Sequence, residues 1–285
     1  MSPARVVVTG AAGMLGRDVL RAGEHAGIDC IGLSRTELDI TDREAAAEAI
    51  AVHRPDAVIN CAAWTDVDGA EEHERAALAV NGVAAGNVAY ACARAKARLV
   101  HVSTDYVFDG TATRPYVESD AVAPLGAYGR TKLEGERRVA AALPAAAIAR
   151  SSWLFGSGGR NFVDTMLRLA ADRGDVTVVD DQVGCPTWTG HLAPGLLALA
   201  AGPRLRGVFH VAGAGSCSWH DFALEIFAQA GVECRVHRGS TAELGRPAPR
   251  PAWSVLGTER DGPRLPDWTE GLAGFLAERT AGARA

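Results

Sequence analysis

The stretch TGAAGMLG, residues 9–16, constrains the fold of this chain more than any other feature. It follows the apolar run RVVV and opens a segment with helical spacing, and its glycines give the pattern GxxGxxG. In such a strand-to-helix turn the first glycine permits a tight bend, the second lets the backbone approach an anion, and the third lets the helix pack closely. A glycine-rich turn without a ligand is the alternative. The context favours a dinucleotide site whose contacts are Gly10, Ala11, Ala12, Gly13, Met14, Leu15 and Gly16.

Hydrophobic periodicity extends this unit into a larger α/β fold. Short apolar runs, many of them rich in β-branched residues, alternate with longer segments of helical spacing; the runs are CIGLS, AVINCAA, RLVHVST and AAIARSS. Strands that alternate with helices predict a parallel sheet that is covered on both faces. We therefore expect a Rossmann-type doubly wound sheet over residues 1–152.

The second half of the chain differs in character. Residues 153–285 contain LFGSGGRNF and HRGSTAELGRPAPRPAWSV, whose Gly, Pro and Arg content favours a smaller, loop-rich and discontinuous substrate-binding lobe. Between them GVFHVAG has the composition of a buried strand, so a segment near 190–213 is expected to return to the main sheet. Two helix starts are also marked, a capping box TDRE with Thr41 as the N-cap and a weaker version, SWHD, at Ser218.

Charge and cysteine content argue against several classes of protein. The 29 Lys and Arg residues against 34 Asp and Glu residues give a formal net charge of −5 without a basic block, so neither nucleic acid nor an anionic membrane surface is expected as a partner. No apolar run approaches the roughly 18 residues of a membrane span, and the start does not resemble a cleavable leader, so we expect a soluble cytoplasmic protein. The six cysteines lack CxxC spacing, which favours reduced, mostly buried thiols.

The end of the second predicted strand bears on the choice of dinucleotide. An acid at this point usually contacts the ribose 2′-hydroxyl of NAD. Here the run CIGLSR ends in Ser34 and Arg35, and a hydroxyl beside a guanidinium suits a 2′-phosphate. We therefore expect NADPH as the cofactor, with NADH possible, and a solvated surface charge is the alternative for Arg35.

A second motif, YGRTK, is typical of acid–base chemistry. Tyr128 and Lys132 stand four residues apart and share one face of a helix, where the ammonium is expected to favour the phenolate. Such a pair usually needs a third hydroxyl to orient a carbonyl, and STDYVF at the end of the fourth predicted strand offers Ser103 and Thr104. Because ligands of open α/β sheets bind at the carboxyl ends of the strands, this stretch is predicted to line a catalytic cleft.

Further residues are candidate substrate contacts. Tyr106 and Phe108, in the same stretch, either pack under a ring and exclude solvent or belong to the core. The arginines of RPAPRPAWS, notably Arg250, carry guanidinium groups that match a diphosphate bidentately. A solvated loop is the alternative for these arginines.

Taken in order, the motifs TGxxGxxG, STDYVFDG, YxxxK, RSSWLFG, NFVDTMLRLA, DDQVGCPTW and RPAWSVL resemble the dTDP-4-dehydrorhamnose reductase family, a branch of the extended short-chain dehydrogenases. The resemblance covers nearly the whole chain. It implies Tyr128 as the proton donor, Lys132 as the residue that lowers its pKa and holds the nicotinamide ribose, and Thr104 as a hydroxyl that contacts the substrate. It also implies sugar-nucleotide contacts at Asp105 and Trp153. The cofactor contacts that it implies are Asp39, Ile40, Ala62, Ala63, Trp64 and Thr65.

The resemblance also implies a reaction, the NADPH-dependent reduction of the C4 ketone of dTDP-4-dehydro-L-rhamnose to dTDP-L-rhamnose. The alternatives are a reductase of a related antibiotic deoxysugar such as dihydrostreptose, a sugar-nucleotide epimerase or dehydratase, and a non-catalytic NADP-binding regulatory subunit. Some family members hold a metal at a subunit contact through an acid beside the glycine loop. This chain has Leu15 and Arg17 there, so no metal is expected, and a monomer or weak homodimer is the predicted assembly.

Overall fold

The computed structural model describes residues 5–202 and 205–282. In chain order its strands are β1 (Arg5–Thr9), β2 (Asp29–Leu33), β3 (Ala57–Asn60), β4 (Arg98–Thr104), β5 (Ala147–Ser151), β6 (Leu154–Phe155), β7 (Asp175–Val179), β8 (Val183–Gly184), β9 (Thr187–Trp188), β10 (Gly207–His210), β11 (Cys217–Ser218) and β12 (Arg235–Gly239). Its α-helices are α1 (Met14–His25), α2 (Arg43–His53), α3 (Val67–Glu72), α4 (Glu74–Leu78), α5 (Ala85–Ala95), α6 (Ala127–Ala142), α7 (Phe162–Arg173), α8 (Thr189–Ala201), α9 (Trp219–Ala230), α10 (Thr241–Leu244) and α11 (Trp268–Gly282).

The central sheet has six strands in the order β10-β5-β4-β3-β1-β2. All five neighbouring pairs are parallel. The chain runs outward from β1 to β2 and then crosses back to β3, so the strand order reverses beside β1. This topology confirms the predicted Rossmann-type doubly wound sheet, and ligands of such sheets bind at the carboxyl ends of the strands near the reversal.

Consecutive residues of β1 alternate between the two covered faces of the sheet. Val7 belongs to a core cluster that includes Ile50 of α2 and Val88 of α5. Val6 and Val8 belong to the cluster on the other face, which contains residues of α1 and α8. Because both faces are buried, the strand is a continuous apolar run instead of an alternating one.

The helix starts show one error in the sequence analysis. Asp42 is the N-cap of α2, and its carboxylate accepts hydrogen bonds from two amides of the first turn. The predicted cap, Thr41, instead donates its hydroxyl to Asp39 at 2.7 Å. The capping box with Thr41 is therefore wrong, because an adjacent carboxylate satisfies the amides and complements the helix dipole. The cap at Ser218 is confirmed, since its hydroxyl accepts from the amide of Asp221 at 3.0 Å.

The second half forms short strand pairs around its own apolar cluster. The pairs are β6–β9, β7–β12 and β8–β11, and the cluster includes Phe155, Phe222 and Phe275. The chain leaves this region through α8, which packs against α1, and through β10, which pairs with β5. β10 thus belongs to the main sheet, while the predicted returning segment near 190–213 and the division into two lobes stay interpretations.

One helical stretch, Glu74–Ala95, is long and apolar enough to cross a membrane by length and composition alone. It comprises α4, a π-helical turn at Ala79–Ala84 and α5. Half of its most apolar window is buried, and α5 packs against α2 and α6. These contacts are those of a core helix of the sheet domain.

Candidate active site

A cleft of about 780 Å³ lies at the carboxyl ends of the central strands. It is lined by the glycine loop after β1, the ends of β3, β4 and β5, the start of α6, and the loop that precedes α7. Of the candidate residues, Ala11, Ser34, Phe108 and Arg250 are not among those that line it. The candidates that do line it are Gly10, Ala12, Gly13, Met14, Leu15, Gly16, Arg35, Asp39, Ile40, Ala62, Ala63, Trp64, Thr65, Ser103, Thr104, Asp105, Tyr106, Tyr128, Lys132 and Trp153.

The glycine loop leaves no space for a side chain at Gly10 or Gly16. Gly10 has a φ of +68°, and a Cβ built there would come within 2.7 Å of the Ala62 amide nitrogen. A Cβ on Gly16 would collide with the carbonyl oxygen of Gly10. Ala11 lies beneath the loop, buried, with its amide bonded to the Leu33 carbonyl at 3.2 Å. This cradle, followed directly by α1, fits the pyrophosphate of a dinucleotide, since the amides of a helix N-terminus attract an anion.

The turn after β2 contains an acid that the sequence analysis missed. Glu37 turns back to β2 and accepts hydrogen bonds from the amide of Ser34 at 2.8 Å and from its hydroxyl at 2.6 Å. The Ser34 hydroxyl is therefore not free for a 2′-phosphate. Arg35 is exposed and lines the cleft, and Asp39 lines it on the same side. The sequence SRTE, residues 34–37, could have indicated this contact. A serine followed three residues later by a glutamate is the spacing at which the carboxylate returns to the serine amide.

Tyr128 and Lys132 lie on the first two turns of α6 with the predicted spacing, but they do not interact as predicted. The Lys132 ammonium donates to the Val102 carbonyl of β4 at 2.7 Å. Burial lowers the pKa of Lys132 to about 8, and the charge of Glu136 opposes that shift. Burial raises the pKa of Tyr128 to about 12, and the Thr104 hydroxyl partly offsets this. The expectation that the ammonium favours the phenolate is wrong for this structure, because desolvation dominates; Tyr128 holds its proton at neutral pH.

Ser103 and Thr104 have separate roles, which the sequence left open. Ser103 is buried and donates its hydroxyl to Glu136 at 2.5 Å. That carboxylate is held by Arg150 of β5 through bonds of 2.9 and 2.7 Å, so the hydroxyl is directed away from a ligand. Both residues line the cleft, but only Thr104 is in hydrogen-bond contact with the Tyr128 side chain.

Asp105 follows Thr104 and is 2% exposed. One carboxylate oxygen accepts from Ser152 at 3.0 Å and the other from Thr104 at 3.1 Å. Burial raises the pKa of Asp105 to about 6, against the effect of the hydroxyls that donate to it, including Ser254. The carboxylate is thus held by fixed hydroxyls at the edge of the cleft.

Aromatic residues form the far wall of the cleft. Trp153 has a φ of +46°, a left-handed conformation that costs a bulky residue about 1–3 kcal/mol and persists only where its surroundings fix it. Its indole stacks on that of Trp219, with ring centroids 3.5 Å apart and planes within 5°. Trp219 also lines the cleft and was missed by sequence reasoning. Tyr106 meets Tyr128 edge to face at 5.9 Å, whereas Phe108 is fully buried, stacks on Tyr116 and belongs to the core.

The basic residues are arranged differently from what the sequence suggested. Arg250 is held by both carboxylate oxygens of Asp68 at 3.0 Å. Arg160, which sequence reasoning missed, lines the cleft on the loop before α7. Within residues 5–202 and 205–282 no hydrogen bond or ion pair holds its guanidinium. Beside the glycine loop, Arg17 donates to the Ala12 carbonyl at 2.9 Å.

A doubly wound parallel sheet, a GxxGxxG cradle and a Tyr-Lys pair beside a strand-end threonine define an extended short-chain dehydrogenase/reductase. Residues 4–281 match the family described as the RmlD substrate binding domain, and the chain belongs to that family.

Individual relatives agree with this assignment. The chain is 49% identical over 263 residues to a dTDP-4-dehydrorhamnose reductase of Mycobacterium tuberculosis, covering 90% of this chain and 86% of that protein. It is 46% identical over 258 residues to a probable dTDP-4,6-dihydroxy-2-methyloxan-3-one 4-ketoreductase of Streptomyces antibioticus, covering 90% and 88%. A crystal structure of a dTDP-4-dehydrorhamnose reductase of Bacillus anthracis in complex with NADP superposes with a TM-score of 0.93 at 38% identity, covering 98% and 100%.

Proposed function

We propose that this protein reduces the C4 ketone of a dTDP-linked 6-deoxy-4-ketohexose with NADPH, converting dTDP-4-dehydro-L-rhamnose to dTDP-L-rhamnose. The observation that carries the proposal is the placement of Thr104 and the protonated Tyr128 in the same cleft as the glycine cradle. The names of the Mycobacterium tuberculosis and Bacillus anthracis relatives support the choice of substrate.

The chain supplies the proton and the polarisation of the carbonyl. A reduced nicotinamide cofactor, with its pyrophosphate held by the cradle, would supply a hydride to the ketone carbon. Tyr128 donates its phenolic proton to the carbonyl oxygen as negative charge develops there. Thr104 donates a hydrogen bond to the same oxygen after its hydroxyl proton turns away from Asp105, to which it donates at 3.1 Å in the structure without ligand. Lys132, anchored on the Val102 carbonyl, holds the nicotinamide ribose. One hydride and one proton thereby convert the ketone to an alcohol.

The residues present fit NADPH. The cradle and α1 accept the pyrophosphate, and Arg35 is the cation on the β2 side of the cleft that is available for a 2′-phosphate. The NADP in the Bacillus anthracis structure supports this choice. Asp39 on the same side is a candidate for the ribose hydroxyls.

Substrate contacts are proposed on the opposite side of the cleft. Asp105, Tyr106 and Trp153 line it next to the catalytic pair. Arg250, fixed by Asp68, is retained as a diphosphate contact only if the ligand displaces that carboxylate. A reductase of a related antibiotic deoxysugar is the second candidate, because the similarity to the Streptomyces antibioticus ketoreductase is of the same order.

The test is to incubate the purified protein with NADPH and dTDP-4-dehydro-L-rhamnose, made in place from dTDP-glucose, and to identify the product by NMR. dTDP-L-rhamnose formed with stoichiometric oxidation of NADPH is the expected result. Formation of a different deoxysugar only from an antibiotic-pathway ketosugar would support the second candidate. Binding of NADPH without turnover of either ketosugar would overturn both.

We further propose a cytoplasmic location, no nucleic-acid or membrane partner and a monomer or weak homodimer. The formal net charge of −5 and the packing of Glu74–Ala95 within the sheet domain support the proposed location and the proposed absence of nucleic-acid and membrane partners. Light scattering at micromolar concentration tests the third.

A further inference from the structure

Three side chains form a chain of hydrogen bonds at the end of β4. The Thr104 hydroxyl donates to Asp105 Oδ1 at 3.1 Å, and it is also hydrogen-bonded to the Tyr128 side chain of α6. The backbone amide of Tyr106 donates to the same hydroxyl oxygen at 3.2 Å. Thr104, Asp105 and Tyr128 all line the cleft. Thr104 therefore links the proton donor of the proposed reaction to a carboxyl group that is 2% exposed.

The Thr104 hydroxyl has one proton to donate and two lone pairs that accept. While Asp105 is ionised, that proton goes to the carboxylate, and the lone pairs accept from the Tyr106 amide and the Tyr128 hydroxyl. In this arrangement the protons of Thr104 and Tyr128 are both directed away from a ketone in the cleft. Each of them must leave a hydrogen bond before it meets the carbonyl oxygen, and the bond to the charged carboxylate is the stronger of the two.

Protonation of Asp105 reverses the direction of these hydrogen bonds. The carboxylic acid can donate to Thr104 Oγ1 from Oδ1, while Oδ2 still accepts from the Ser152 hydroxyl, which lies at 3.0 Å. The acid and the Tyr106 amide then occupy both lone pairs of Thr104, so Tyr128 can no longer donate there. The protons of Thr104 and Tyr128 are both left for a carbonyl oxygen.

The surroundings of Asp105 allow either form of the carboxyl group. Its partners are the hydroxyls of Thr104, Ser152 and Ser254. Within the part of the chain that the structure describes, no Lys or Arg side chain is paired with it. Burial without such a cation raises the pKa of Asp105 to about 6, although the three hydroxyls oppose that shift.

The other ionisable groups around this carboxyl change their charge at higher pH. The groups are Tyr106, Tyr128, Lys132, Cys185 and the paired Arg250 and Asp68. Burial raises the pKa of Tyr106, and it raises those of Tyr128 and Cys185 to about 12. Burial lowers the pKa of Lys132 to about 8. Among these groups, Asp105 alone is therefore expected to titrate between pH 5 and pH 7.

We propose that Asp105 is a positioning residue, whose protonation turns the hydroxyl protons of Thr104 and Tyr128 toward the carbonyl of the substrate. The inference rests on the proposed function and goes beyond a contact of this side chain with the sugar. Ionised Asp105 withholds both protons, and the protonated acid releases them. Reduction should therefore become faster as the pH falls through the pKa of Asp105, although Tyr128 keeps its own proton throughout.

The pH profile of the reduction tests this role. In the wild type, kcat/KM for the ketosugar at saturating NADPH should fall about tenfold between pH 5.5 and pH 7.5. Asp105→Asn should show a nearly constant kcat/KM over this range, whatever its absolute value, because the amide donates to Thr104 at every pH. Ser254→Ala removes a hydroxyl that stabilises the carboxylate, so it should move the fall to higher pH by about one unit.

Asp109 supplies the matched control in the same stretch of sequence. Its carboxylate accepts from the Tyr116 hydroxyl at 2.6 Å, and it does not line the cleft, so Asp109→Asn should keep the wild-type profile. A wild-type kcat/KM that is constant or rises with pH would overturn the proposal. So would a fall that persists in Asp105→Asn, or an unshifted profile in Ser254→Ala. If Asp105→Asn does not fold, the shift in Ser254→Ala decides.

A second readout needs no turnover and separates this inference from the proposed function. The chain has four tyrosines, so carbon-13 labels at their Cζ atoms give four NMR signals, and Tyr128→Phe assigns one of them. In the protein without ligands, the Tyr128 signal should shift near pH 6, where its hydroxyl changes from donating to Thr104 to accepting from it. Asp105→Asn should remove this step. If the step is present but the ketosugar is not reduced, the proposed function fails and the reversal of the hydrogen bonds stands. Reduction without the step would overturn the reversal.

Discussion

Replacing Glu136 by Gln should destabilise the protein by about 3 kcal/mol or more. Its carboxylate accepts three hydrogen bonds, from Ser103 at 2.5 Å and from two nitrogens of Arg150 at 2.9 and 2.7 Å. The side chains of Arg150 and Glu136 are only 4% and 5% exposed. Removing one partner of such a pair leaves an uncompensated buried charge, which costs about 3–5 kcal/mol. The side-chain amide oxygen of the introduced glutamine can still accept some of these hydrogen bonds. The expected loss of stability therefore lies at the lower end of that range.

Glu134 provides the control on the same helix. It pairs with Arg138 at 2.8 Å, but its side chain is 31% exposed and that of Arg138 is 45% exposed. Exposed pairs of this spacing contribute roughly 0.3–0.5 kcal/mol, so Glu134→Gln should shift stability by no more than about 0.5 kcal/mol. Urea unfolding of both variants measures the difference in the free energy of unfolding. The slope of that free energy against urea concentration should stay unchanged, which shows that the unfolding transition itself is the same.

A loss below about 1 kcal/mol for Glu136→Gln, or equal losses for the two variants, would refute the reasoning. The double variant with Arg150→Met supplies a further check. It removes both charges, so it should be more stable than Glu136→Gln alone. Loss of stability equal to the sum of the single variants would show that the pair is not coupled.

Further predictions concern the cleft. Tyr128→Phe should lower kcat at least about 100-fold while the Kd for NADPH stays within about twofold, as fluorescence titration can show. Arg35→Ala should raise the KM for NADPH several-fold and leave that for NADH unchanged; equal changes would argue against a phosphate contact. Gly16→Ala should weaken NADPH binding at least about tenfold, because its Cβ would collide with a backbone carbonyl of the loop. Asp105, with a pKa raised from 3.8 to about 6, keeps a proton that the unfolded chain loses, so its contribution to stability should fall as pH rises from 4 to 6. Asp105→Asn should remove this fall in the free energy of unfolding between pH 4 and pH 6, as measured by urea unfolding at several pH values. A variant that shows the same fall as the wild type would contradict the assignment of the raised pKa to Asp105.

The sequence predicted those features that depend on local patterns. The glycine loop, the apolar runs of β1–β5 and the return of β10 each carry their signal in about ten consecutive residues. Burial on both faces explains why these strands could be found without alternation. The cap of α2 was misplaced because Thr41 and Asp42 are both good caps, and only the contact of Thr41 with Asp39 separates them.

Features that depend on distant contacts could not be predicted. Nothing local marks Trp219 as the partner of Trp153, because α9 and the end of β5 meet only in the folded chain. The pairing of Arg250 with Asp68 is equally remote in sequence. The pKa of Tyr128 depends on desolvation, which spacing along a helix does not reveal.

Anion recognition in a chain with a formal net charge of −5 must come from local groups. The guanidinium of Arg250 faces the carboxylate of Asp68, and that of Arg35 lies on the same side as Asp39, so neither adds an isolated charge to the cleft. The amides at the start of α1 are different, because they are oriented by the backbone and lie beside a loop that admits no side chain at Gly10 or Gly16. Their dipoles act at contact distance and are not displaced by a neighbouring carboxylate. We therefore expect the cradle to attract the pyrophosphate through the backbone amides, whereas Arg160, which lines the cleft on the loop before α7, is a side-chain cation available to a second phosphate group.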